Sequence, residues 1–187
     1  MTQTDNNVRI SPLQHAAQMG LKLGGYLMLV YIAWMYTPSY PFLALFFLLG
    51  LIGTPFYAYR LGLRFRALVP EELPYPFAVA WSHGTQMFIF AGIILLLPTY
   101  YYYTSALPAQ LPTLEKMLTA VYETNPELKT TLYTVYGGDP IALISVLTDR
   151  EHIWGLLWSS FSNTVFLGAI VSLINAFILK RPVRPTH

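Results

Sequence analysis

The chain has 187 residues, 55% of them hydrophobic, 16% aromatic and 11% charged, with a formal net charge of +2 and no cysteine. Soluble domains average about 25% charged residues, so this composition leaves too little charge to cover a soluble fold of this size. The charge balance does not point to nucleic acid, and the missing cysteines exclude disulfides, thiolate metal sites and cysteine nucleophiles.

In chain order, the polar N-terminal segment carries Asp5, Arg9 and Pro12 and lacks the short apolar region and small-residue cleavage site of a removable signal peptide. Four long apolar stretches follow, at 15–36, 41–59, 77–103 and 152–179. A hydrocarbon core about 30 Å thick is crossed by about 20 apolar residues of helix, and each stretch is long enough. The expectation is an all-α polytopic membrane protein: one integral-membrane domain over residues 1–187, with four transmembrane helices. The connection at 104–151 is too long for a simple loop. Pro112 and Thr113 open a run in which Leu114, Met117, Leu118, Val121 and Tyr122 recur at helical spacing. Asn125-Pro126 starts a second short helix that Gly137-Gly138 would end, and Asp139-Pro140 repeats the start signal. These amphipathic pieces are expected on the outer membrane surface or over the mouth of the bundle, with partner binding as the functional alternative. Whether residues 140–180 form one continuous helix is left open.

Orientation follows the basic residues. Arg9, Arg60, Arg64, Arg66, Lys180, Arg181 and Arg184 share one side, with Lys22 just inside the first span, whereas the 104–151 segment is mainly acidic. Lys and Arg are retained in the cytoplasm, so both termini are expected there, with the chain in the cytoplasmic membrane. Trp34, Tyr36, Tyr100 to Tyr103, Trp154 and Trp158 gather at the outer ends and Tyr57, Tyr59 and Trp81 at the inner ends, as aromatic belts do.

Packing faces are visible in the spans. Ser160, Thr164, Gly168, Ser172 and Ala176 fall every fourth residue of the last span, Ala16, Gly20 and Gly24 do so in the first, and Ala80 and Gly84 in the third. Small residues at this spacing let helices approach closely, either within the bundle or between chains. Intramembrane polar groups are the candidate chemistry: Lys22, His83, Gln86, Ser172 and Asn175 lie at matching depth and would form one cluster toward the cytoplasmic leaflet. The sharper reading is a proton relay at His83 beside Lys22. The plainer one, favoured because no acidic counter-charge or second histidine accompanies them, is a snorkelling Lys22 and a helix-to-helix hydrogen bond at His83. Asp149, Glu151 and His152 read as a helix start rather than an ion site, and Asn163 with Ser159, Ser160 and Ser162 as polar glue between helices. No phosphate-binding glycine loop, zinc-ligand helix pattern or serine elbow is present, and no cofactor or enzymatic activity is expected.

Three stretches carry a resemblance: Phe56-Tyr57-Ala58-Tyr59-Arg60 after the second span, Phe90-Ala91-Gly92 leading to Tyr103, and the closing Ser172-Leu173-Ile174-Asn175-Ala176-Phe177-Ile178-Leu179-Lys180-Arg181. From about Gly20 onward the chain resembles a bacterial family known as domain of unknown function 4199, of Bacteroidetes type. The resemblance implies four spans and an amphipathic outer segment, and no activity or functional residues. The proline-rich connection with Pro70, Pro74 and Pro76 departs from that pattern. The expected role is a structural or accessory subunit of an envelope complex, with a protein partner or second copy; the alternative is a small oligomeric channel or transporter.

Overall fold

The computed structural model describes residues 11–70, 73–136 and 150–181. Helix α1 spans Pro12–Met35 and begins before the apolar stretch because Ser11 and Gln14 form a capping box. The Ser11 hydroxyl accepts the Gln14 N–H at 3.2 Å, and the Gln14 side-chain oxygen accepts the Ser11 N–H at 3.1 Å. Pro12 fills the first helical position, where its missing donor costs nothing.

Helix α2 runs over Leu43–Leu68, well past the Tyr59 end expected for the second span. Arg60, Arg64 and Arg66 are therefore helical, as good helix formers, and do not belong to a loop. Termination falls to Pro70, which disfavours helical geometry at the residue before it; Val69 is extended, with φ −86 and ψ 120.

Helix α3 covers Phe77–Tyr101 and passes without a break through a π-helical turn, Tyr102–Ala106, into α4, Leu107–Thr124. Separate outer pieces opening at Pro112 were expected; instead Pro112 lies inside α4. The wide turn follows Pro98, which lacks the N–H of a regular helical bond. Continuity is held by packing on the end of α1: Leu107 is buried with Met35, Tyr102 and Ala106, and the Gln110 amide donates to the Met35 carbonyl at 3.2 Å. Helix α5, Pro126–Tyr136, starts at Asn125-Pro126, and α6 spans Arg150–Leu179. The Gly137-Gly138 stop, the Asp139-Pro140 start and Asp149 lie outside the described residues.

Helix α3 is the centre of the bundle. Against α6 it packs antiparallel, with Ala80 and Ala176 in one buried cluster, Gly84 facing Ser172, Gly168 beneath the Phe88 ring, and Gly92 beside Phe161 and Thr164. A Cβ on Gly84 would come within 2.7 Å of the Ser172 hydroxyl. Against α1 it packs parallel: Gly20 meets Met87 and Phe90, and Gly24 meets Ala91 and Ile94. Helix α2 lies at the edge. It meets α1 where the Tyr26 hydroxyl donates to the Gly50 carbonyl at 2.6 Å, and α6 where Gly62 receives Leu179. Its exposed Leu45, Phe46, Leu49, Ile52 and Phe56 form an apolar outer face of the kind hydrocarbon solvates.

At the basic end of the bundle, where α2 and α6 finish, Tyr75 and Arg181 exchange both backbone hydrogen bonds, at 3.1 and 2.8 Å. The Arg181 guanidinium donates to the carbonyls of Val69, Pro70 and Leu73 at 3.2, 2.6 and 2.9 Å. This clamp ties the end of α6 to the connection between α2 and α3.

Candidate functional site

The polar residues expected to converge are divided among several places. Lys22 is exposed on α1. Asn175 is buried on α6 and donates to the Pro55 carbonyl of α2 at 3.1 Å. Ser172 is buried against Gly84, and its hydroxyl has no partner among the described residues. Among the described residues, Gln86 makes only a long contact to the Ser82 hydroxyl, 3.5 Å, and its side-chain oxygen is buried without a partner.

His83 has a different companion from those named for it. Its Nε2 lies 3.0 Å from Nδ1 of His15, with both rings buried. The expectation that no second histidine accompanies His83 is thus corrected. The pair forms because the Ser11 cap sets His15 in the first turn of α1, while Pro76 starts α3 so that His83 falls in its second turn. Parallel packing of the two helices then brings them together. One ring must donate and the other accept, according to tautomer. Phe65 of α2 covers the pair, its ring parallel to His83 within 3° and 3.9 Å away, and 5.1 Å from His15. Tyr75 meets the edge of Phe65 at 6.0 Å.

His83, Gln86, Ser82 and Phe65, together with Pro12, Ala78 and Val79, line a cavity of about 330 Å³. Nδ1 of His83 is buried and makes no hydrogen bond among the described residues. No cluster of three metal-binding side chains occurs among the described residues. Glu151 and His152 are exposed in the first turn of α6, where an acidic side chain suits the helix dipole.

Of the stripe, Thr164, Gly168, Ser172 and Ala176 lie along the α3 contact, and the Ser160 carbonyl accepts from the Thr164 hydroxyl at 2.9 Å. Another face of α6 carries Gly155, Ser159 and Asn163, again every fourth residue. All are exposed, and a Cβ on Gly155 would touch nothing within 4 Å.

Among the described residues, four helices long and apolar enough to cross a membrane define a multi-pass helical membrane protein. The chain belongs to the family described as Protein of unknown function (DUF4199), whose model matches residues 18–181. No curated protein and no solved structure matches the chain.

Proposed function

We propose that this protein is a non-enzymatic accessory subunit of a bacterial inner-membrane assembly, with both ends of the chain in the cytoplasm. The observation that carries the reading is Asn163, near the middle of the thirty-residue helix α6, exposed and without a hydrogen bond among the described residues. A side-chain amide facing hydrocarbon is costly unless another polar group meets it. Gly155 and Ser159 lie on the same face and leave room for a second helix to approach. An asparagine donates and accepts at once, so the simplest occupant is the same face of a second copy, related by a two-fold axis.

The long arm supports the same reading. Phe77–Thr124 is 48 residues of helix, about 72 Å at 1.5 Å per residue and more than twice the hydrocarbon thickness. Its far part exposes Met117 and Val121, and α5 exposes Leu128 and Val135, apolar side chains suited to a partner outside the bilayer. The cytoplasmic placement of the ends rests on Arg60, Arg64, Arg66, Lys180 and Arg181 at the basic end. The channel or transporter alternative loses ground because Lys22 is on the exterior and Asn175 is engaged with Pro55.

Crosslinking in native membranes, followed by mass measurement in mild detergent, tests the proposal. The wild type should run as a dimer or with a companion protein, and Asn163→Leu should run as a single chain. A wild type that remains a single chain under both conditions contradicts it.

A further inference from the structure

The cavity beside the histidine pair has a chemistry of its own. His83 is 97% buried by exposed area (3% exposed), one ring nitrogen is taken by His15, and the other has no partner among the described residues. One turn further along α3, Gln86 presents to the same cavity with its side-chain oxygen also unpartnered. Two such atoms on one wall are uncommon in a folded protein and call for an explanation. Apart from Ser82, the remaining lining is apolar: Phe65, Ala78, Val79 and Pro12.

We propose that this cavity binds the hydroxylated head of a neutral amphiphile drawn from the leaflet at the basic end of the bundle. When His83 carries its proton on Nδ1, one hydroxyl donates to the Gln86 oxygen and accepts from Nδ1; in the other tautomer a second hydroxyl of the head donates to Nδ1. A carboxylate or ammonium fits less well, because no charged side chain among the described residues lines the cavity and an unpaired charge is expensive there. Depth points to a lipid-like molecule. Pro12 and Ala78 belong to the first turns of α1 and α3, whereas Gln86 lies nine residues beyond Phe77, about 14 Å along the axis. The cavity therefore extends from headgroup level into the hydrocarbon. Its volume of about 330 Å³ is at the small end for ligand sites; it holds a headgroup and the first methylenes, with the remaining tail left in the bilayer. Neither Asn163 nor the α6 face used for assembly takes part, so this site and the assembly proposal stand or fall separately.

The test uses the full-length protein in phosphatidylcholine nanodiscs, whose lipid has no hydroxyl, with 1-monoolein, methyl oleate, oleic acid and oleylamine as probes. Monoolein should raise the unfolding temperature saturably, by roughly 5 to 10 °C at a hundredfold excess over its Kd, and should move the His83 ring-nitrogen resonances. Methyl oleate should do neither. Gln86→Leu, which keeps the histidine pair and its packing, should abolish the monoolein response, as should His83→Phe if that variant folds. An equal response to methyl oleate, a larger one to oleic acid or oleylamine, or an undiminished response in Gln86→Leu overturns the proposal, as does the lack of any response to monoolein.

Discussion

Gly168 lies directly beneath Phe88, whereas Gly25 and Gly155 face open space. The same substitution should therefore have different consequences at these sites. Gly168→Leu forces α6 away from α3 and should destabilise the protein by at least about 1–3 kcal/mol, the usual range for overpacked cores; Gly25→Leu should leave the unfolding temperature in nanodiscs unchanged. At the basic end, His15→Ala strips the buried His83 of its only hydrogen bond among the described residues. Stranding a buried polar group costs about 1–3 kcal/mol, and His15→Ala should lower the denaturation midpoint accordingly. Tyr75, in the connection outside the spans, is 1% exposed and its hydroxyl has no partner among the described residues. Burial pushes its phenol up to about 12, against the opposing influence of Arg66. Because the folded value exceeds the unfolded one near 10, the contribution to stability is complete below pH 10 and is lost as pH rises through 12. Tyr75→Phe should flatten that loss and be close to neutral at pH 7, as read from unfolding temperatures across the alkaline range. The histidine pair is the residue-scale feature that is hardest to read in advance. Its members are 68 positions apart, and no local pattern states which two helices run side by side.

Among the elements, helix ends depend on signals of unequal visibility. Ser11-Pro12-Gln14 and Asn125-Pro126 are local start signals, and both begin helices. The end of α2 is harder to place, because basic residues past the apolar stretch continue the helix until Pro70 intervenes. The passage from α3 to α4 was illegible for a different reason. Pro98, Pro108 and Pro112 each argue for a break, but the π-helical turn and the contact of Leu107 and Gln110 with the end of α1 override them. The Arg181 clamp likewise requires the end of α6 and the connection after α2 to be neighbours, which the bundle alone decides. Arg181→Ala removes donors to three carbonyls and should speed proteolysis of the connection between α2 and α3 in nanodiscs. Arg181→Lys, with a point charge in place of a planar fork, should restore only part of the protection.

At the scale of the molecule, one helix organises the rest. The small residues of α3 meet α6 on one side and α1 on another, and α2 attaches at the edge with a lipid-facing surface. The number of spans and the small-residue stripe are legible because bilayer thickness and four-residue spacing are strong, local constraints. The dispersal of the expected polar cluster is not, since equal depth says nothing of which way a side chain faces. Lys22 and His83 stand at similar depth in the chain's hydropathy pattern, but parallel packing sets His83 level with His15, seven residues before Lys22, and Lys22 is exposed.

Threading of these spans is the central claim, and the lack of cysteine makes it directly measurable. Single cysteines introduced at Ser11, Glu123 and Lys180 can be labelled in intact cells with a thiol reagent that does not cross the inner membrane. Labelling is expected at Glu123→Cys alone, with Ser11→Cys and Lys180→Cys reacting only after the membrane is opened. Labelling of Ser11→Cys and Lys180→Cys from opposite faces would contradict it.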